Sequence, residues 1–198
     1  MKRKVAKEGF FWREKIPGGN PVTVSLQRLK VHGECVRFGV TAKGYGEKAV
    51  YIGGYFVERL VAFFYRDIVG AWQNKEVIVG EVILRRMQEE IESTLSELKG
   101  YLDGQGMEGR VAFRGMLLVG DIFFAFEKGE GAFLFAEDEK MYPVRLDLCG
   151  RKERFGMGTG ELYEDAVIFG VDKVLEQPSG NVEMWYEKEM CECIYLSR

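Results

Sequence analysis

The sequence predicts an α+β fold, two packed antiparallel β-sheets flanked by helices. Three observations carry that expectation. Strand-like apolar runs lie before Phe56 and again from Arg110, whereas the stretch between them, as far as Leu102, switches from a period of two to one of 3.6. Strand-like and helix-like runs are segregated rather than interleaved, which disfavours repeated βαβ units. The chain also carries 25 Gly against 4 Pro, the punctuation of many tight turns between strands.

Up to Pro21 the segment is amphipathic and poorly patterned. Two apolar runs follow, Val22 to Val31 and Cys35 to Val40, joined by His32-Gly33-Glu34, which is short enough for a hairpin. A glycine-rich connection, residues 41–47, is expected next. Phe56, Leu60, Phe63 and Phe64 then mark one helical face, widened by Val57, Val61 and Ile68. A second helix, from about Glu76 to Leu102, aligns Leu84, Met87, Ile91, Leu95, Leu98 and Leu102 opposite a charged surface and stops at Asp103-Gly104-Gln105-Gly106. Strands resume at Val111 to Val119, Ile122 to Phe126 and Ala132 to Phe135. Gly120-Asp121 makes a two-residue hairpin turn and Lys128-Gly129-Glu130-Gly131 a tight loop. Met141 to Leu148 reads as one further strand, Gly150 to Gly160 as a segment without clear structure, and Ala166 to Val171 as a strand buried on both faces. Trp185-Tyr186 and an alternating terminal strand complete the set.

Composition bounds the function. A chain of 198 residues suits one domain, 1–198, burying roughly 70% of its unfolded surface. Its 46% hydrophobic content and net charge of −3 exclude disorder as the dominant state, and the slightly acidic balance disfavours nucleic-acid binding through bulk positive charge. No apolar run approaches the ~20 residues of a membrane-spanning helix. The basic start, Met1 to Glu8, leads to Phe10-Phe11-Trp12 and then to charge, unlike a secretory leader. A soluble, cytoplasmic protein with no nucleic acid or membrane partner is expected. Phe10-Phe11-Trp12 either docks on a partner or, as the reading preferred here, packs on the domain's own sheet.

Cys35, Cys149, Cys191 and Cys193 are too scattered for a disulfide scaffold. Cys191 and Cys193 form a C-x-C pair, but His32 and the other thiols are not at ligand spacing, so both cysteines read as one face of the last strand. The lone His32 belongs to a hairpin turn and is a poor candidate for a catalytic base.

Four segments carry a resemblance. Phe38-Gly39-Val40-Thr41-Ala42-Lys43-Gly44-Tyr45-Gly46 precedes the first helix. Gly109 to Phe135 contains Leu118-Val119-Gly120-Asp121-Ile122-Phe123-Phe124 and Gly129-Glu130-Gly131-Ala132-Phe133-Leu134. Glu164-Asp165-Ala166-Val167-Ile168-Phe169-Gly170-Val171-Asp172 and Glu189-Met190-Cys191-Glu192-Cys193-Ile194-Tyr195-Leu196 close the series. In order and spacing, from about Asn20 to Leu196, these resemble the metal-dependent protein phosphatase 2C family, including its bacterial serine/threonine phosphatases. The matching family features are a strand ending in Asp-Gly-x-Gly-Gly, the Gly-Asp-Ser-Arg-Ala strand, the Ser-Asp-Gly exit and the acidic start of the last strand.

The resemblance implies an αββα sandwich and, in an active member, two magnesium or manganese ions held by aspartates. A metal-bound water then attacks a phosphate in line. This chain departs from the pattern at the acids. Lys43 stands where the bridging aspartate is expected, with Gly44 after it; the alternative register puts Ala42 there. Asn20-Pro21-Val22 lacks the amino-terminal acid, Gly129-Glu130-Gly131 offers a longer carboxylate, and Glu189-Met190 replaces the acidic-polar pair. Asp172 keeps the expected type but is followed by Lys173, and Pro178-Ser179-Gly180 reads as a loop where the family fits further helices.

The expectation is a degenerate phosphatase 2C-like domain, a pseudophosphatase acting by protein binding or regulation, with Lys43, Gly44, Glu130 and Asp172 as its remnant site. Asp172 is the one metal ligand left by the resemblance, and no cofactor is expected. A kinase, a phosphatase or a phosphoprotein is the expected partner. Because a buried unpaired carboxylate is costly, Lys43 and Asp172 are expected within salt-bridge distance. Blander readings stand beside these: Lys43 as an exposed turn residue, Asp172 as a turn cap, Glu130 as a hairpin residue, and Gly44 with Gly46 as a backbone anion nest. Two other functions remain open. One is an active phosphatase using Asp172, Glu130 and Glu189 with one manganese or magnesium; the other is a ligand-binding domain whose resemblance is convergent.

Overall fold

The sequence folds into two antiparallel sheets whose strands are pinned by their alternation. The structure, a computed structural model, describes residues 9–11, 22–74, 80–137, 140–144, 146–149, 154–163, 166–171 and 193–197. In chain order the elements are β1 (Gly9–Phe11), β2 (Val22–Val31), β3 (Glu34–Gly46), α1 (Ala49–Phe63), a π-helical turn (Phe64–Val69), α2 (Gly70–Gln73) and α3 (Gly80–Gly104). They continue with β4 (Gly109–Val119), β5 (Ile122–Lys128), β6 (Phe133–Glu137), β7 (Lys140–Val144), β8 (Asp147–Cys149), β9 (Phe155–Glu161), β10 (Ala166–Phe169) and β11 (Cys193–Ser197). One sheet runs β1-β11-β10-β6-β7 and the other β2-β3-β4-β5-β9-β8.

The six-stranded sheet has two apolar faces. Val36, Phe38, Val40 and Ala42 of β3, with Val111, Phe113 and Leu117 of β4, meet the helices; Phe38 stacks on Phe64 at 4.9 Å and Phe56 on Phe113 at 4.3 Å. The opposite face meets the second sheet through Met116 and Leu118 against Phe133, Val167, Phe169 and Ile194. Most of each stripe predicted for the helices is buried: Phe56, Leu60 and Phe63 in α1, and Met87, Ile91, Leu95, Leu98 and Leu102 in α3. Leu84 is only half-buried, and Ile83 beside it takes the core position. Among the described residues no helix is long and apolar enough to cross a membrane.

Three sequence expectations are corrected. Residues 41–47 are mostly strand, because β3 stays paired with β4 as far as Gly46 opposite Gly109. There Thr41, Lys43 and Tyr45 alternate with Ala42 and Gly44. Met141 to Leu148 is two strands in different sheets, β7 pairing with β6 and β8 with β9. Gly150 to Gly160 holds most of β9, which pairs with β5 from Gly156 to Glu161. Its glycines are read by sequence as loop, yet a side chain at Gly156 would press on Glu127 and Leu146, and one at Gly160 on Phe123. The early segment also contributes β1, with Phe10 opposite Ile194, so its backbone does join the chain's own sheet. The second helix is described from Gly80, and residues 75–79 lie outside the described residues, as do Trp12, Trp185 and Tyr186.

Candidate site at the end of the sandwich

β3, β4 and β5 run side by side, and their inward faces carry the side chains of interest. Lys43 is half-buried on β3, opposite Ala112 of β4, and its Nζ lies 5.7 Å from the centre of the Tyr45 ring. Arg110, opposite Tyr45, places its guanidinium 4.7 Å from the same ring. A cation over an aromatic face is attracted by the ring's negative quadrupole, so Tyr45 gathers two positive charges at this end of the sheet. Gly44 is buried between them in sequence. Its missing side chain leaves room for the Ala49 carbonyl at the start of α1, and its backbone is extended strand rather than an anion nest.

Glu130 lies in the β5–β6 turn and is half-buried. That turn crosses the sheet beside Lys43: a side chain at Gly129 would come within 2.7 Å of the Ala112 Cβ, the residue opposite Lys43. Asp172 lies outside the described residues, and so do its expected contact with Lys43, the ligand candidate Glu189 and Cys191. Gly170, shortly before Asp172, is described and buried.

What joins these segments is Arg114, which sequence reading did not single out. It is fully buried on the inter-sheet face of β4, between Thr41 of β3 and Glu127 of β5. Its Nε and Nη2 donate to Glu127 Oε2 at 3.0 and 2.5 Å. Its Nη1 donates to the carbonyl oxygens of Glu130 at 2.8 Å and Gly170 at 2.7 Å. The second Glu127 oxygen accepts the Leu146 amide at 2.9 Å, and the Thr41 hydroxyl donates to the Arg114 carbonyl at 3.3 Å. Gly131, with φ of +97°, lets the turn close on the guanidinium; a side chain there would run into the Gly170 carbonyl and Arg114 Nη1. The structure therefore brings the Lys43 and Glu130 segments and the end of β10 to one place, with a guanidinium at the centre.

The signal for Arg114 was present in the sequence. It is a charge inside the run Val111 to Leu118, and counting back from the two-residue turn at Gly120-Asp121 sets it opposite Glu127. A charge facing a countercharge across a hairpin in an apolar context is a buried pair.

His32 occupies the β2–β3 turn with φ of +50°, exposed, its Nε2 2.8 Å from the Trp72 carbonyl. Cys35 and Cys193 are free thiols.

The residues in hand can be tested against a pair of hard divalent cations, each of which takes about six oxygen ligands. The described oxygens that converge here, the Glu127 carboxylate and the carbonyls of Glu130 and Gly170, already accept from Arg114. No group of three or more His, Cys, Asp or Glu among the described residues is arranged to hold a metal ion. The described residues do not fit a two-cation centre.

Neither a protein-family model nor a curated protein matches the sequence. The fold does match solved structures. A bacterial serine phosphatase carrying a point substitution superposes over 96% of this chain and 95% of its own, with a TM-score of 0.70 at 9% identity. The S. agalactiae serine/threonine phosphatase matches over 96% of this chain and 95% of its own, with a TM-score of 0.55 at 14% identity. The catalytic domain of the serine/threonine protein phosphatase PstP, in complex with 2 manganese ions, matches over 75% of this chain and 76% of its own, with a TM-score of 0.52 at 11% identity. At such identities the likeness is one of fold, and the fold is that of the phosphatase 2C-like sandwich.

Proposed function

We propose that this chain is a degenerate phosphatase 2C-like domain, a pseudophosphatase that acts by binding or regulating a protein partner rather than by metal-dependent hydrolysis. The observation that carries the reading is the Arg114 guanidinium, which takes up the oxygens converging at the end of the sandwich. A permanently charged group in that position opposes the entry of a divalent cation, both by repulsion and by occupying the oxygens that would ligate it. The cations Lys43 and Arg110 around Tyr45 favour an anionic segment on the partner, such as an acidic or phosphorylated stretch of a kinase, a phosphatase or a phosphoprotein. Fold likeness alone does not assign activity, so the test is chemical. The purified chain is given p-nitrophenyl phosphate with millimolar manganese or magnesium. The expected result is no release of nitrophenol above the protein-free rate. Turnover that needs the metal and disappears in Asp172→Asn would establish the active-phosphatase reading instead.

A further inference from the structure

We propose that Arg114 is a built-in cation of the sandwich, a guanidinium that does from within the chain what a bound cation would do from outside: it gathers oxygens from separate segments and closes one end of the fold. The inference deepens the functional reading above and rests on it for the comparison with a metal centre; the geometry is its own support.

An arginine keeps its proton in a protein, so the fully buried Arg114 is a fixed positive charge that the surroundings must balance. Among the described residues, Glu127 supplies a countercharge through one carboxylate oxygen, and Nη1 donates to two backbone carbonyls. The Arg114 Cζ also lies 5.4 Å from the Phe133 ring centre. This is the donor set that a hard cation selects, carboxylate plus carbonyl oxygen, gathered by an ion on a covalent stem. Its reach spans both sheets: β4 and β5 in the six-stranded one, the turn leading into β6, and the end of β10 in the five-stranded one. Through Glu127 Oε1 it also holds the Leu146 amide, at the crossing from β7 to β8. A core salt bridge between neighbouring strands needs only Glu127. The two carbonyl bonds tie the sheets together, and Gly131 is shaped to allow them.

The test is rescue by a free cation of the same shape. In Arg114→Ala the thermal midpoint of the full chain is expected to fall by about 10 °C, because a buried carboxylate and two carbonyls lose their partner. Tens of millimolar methylguanidinium is expected to recover about half of that loss by refilling the space, since binding only the folded state stabilises it. N-methylurea, planar and similar in size but neutral, is expected to recover none, and the wild type is expected to respond to neither. Equal recovery by both additives, or no recovery by methylguanidinium, overturns the proposal. Should Arg114→Ala fail to fold, the refolded fraction after dilution from urea is read in the same two additives, with the same expectations. The outcomes separate from those of the hydrolysis test: metal-dependent turnover by the wild type removes the functional reading and leaves Arg114 its role, whereas failed rescue without such turnover removes the role and leaves the reading to stand on the hydrolysis result.

Discussion

At the scale of single residues, the end of the sandwich depends on a charge that is buried and on a glycine that lets the chain reach it. Gly131 sits at φ of +97°, and any side chain there meets Arg114 Nη1 and the Gly170 carbonyl. Backbone strain and overpacking each cost on the order of 1–3 kcal/mol. Gly131→Ala is therefore expected to lower the unfolding free energy by about 3 kcal/mol in a urea titration, and a loss below about 1 kcal/mol would show that the turn does not close on Arg114 as described. Candidate residues were legible in the sequence to different degrees. Lys43, Gly44 and Glu130 are candidates that a resemblance supplies, and the structure brings their segments together. Arg114 and Glu127 were missed because they match no motif; only cross-strand register reveals them, and register follows from the turn at Gly120-Asp121.

Elements were legible where burial imposes a period. Both long helices and the β2–β3 and β4–β5 hairpins follow from apolar spacing and turn residues. β9 was not legible, because Gly156, Gly158 and Gly160 carry no side chain to show alternation; they are absent of bulk because Glu127, Leu146 and Phe123 fill that space from neighbouring segments. The break between β7 and β8 was hidden for a related reason: a strand that changes sheets keeps its alternation. Between helices, Tyr55 of α1 donates to Glu97 of α3 at 2.5 Å, and Arg59 also reaches Glu97 at 3.2 Å. The Tyr55 hydrogen bond, helped by Ser93 and the Arg59 charge against a smaller cost of burial, holds the Glu97 carboxyl below its usual range. The same bond, with burial and the carboxylate charge, raises the Tyr55 phenol. A depressed acid contributes stability above its unfolded value and loses it as pH falls through the folded one; a raised phenol contributes below its unfolded value and loses it as pH rises through the folded one. The gap between wild-type and Tyr55→Phe melting midpoints is thus expected to be widest between about pH 5 and pH 9 and to close as pH falls below the ordinary carboxylate range. Glu97 is well exposed, so the gap is small. A gap that is constant with pH would contradict this link between the helices.

At the scale of the whole molecule, the layered arrangement of sheet on sheet with helices outside was readable from segregated runs of strand and helix, and it coincides with the fold of serine/threonine phosphatases at 9–14% identity. Identity that low leaves the scaffold recognisable while the chemistry at its end is free to change, since burial constrains core positions by size and polarity far more than it constrains a site. The proposed role of Arg114 has a consequence for the whole fold: a chain that carried its own cation would need no metal to complete its folded state. The most direct measurement is thermal unfolding of chelator-treated protein with and without millimolar manganese or magnesium. The same midpoint is expected in each case. A rise of several degrees would contradict it, as expected for an ion that binds only the folded state and contributes about 2.7 kcal/mol at one hundred times its dissociation constant.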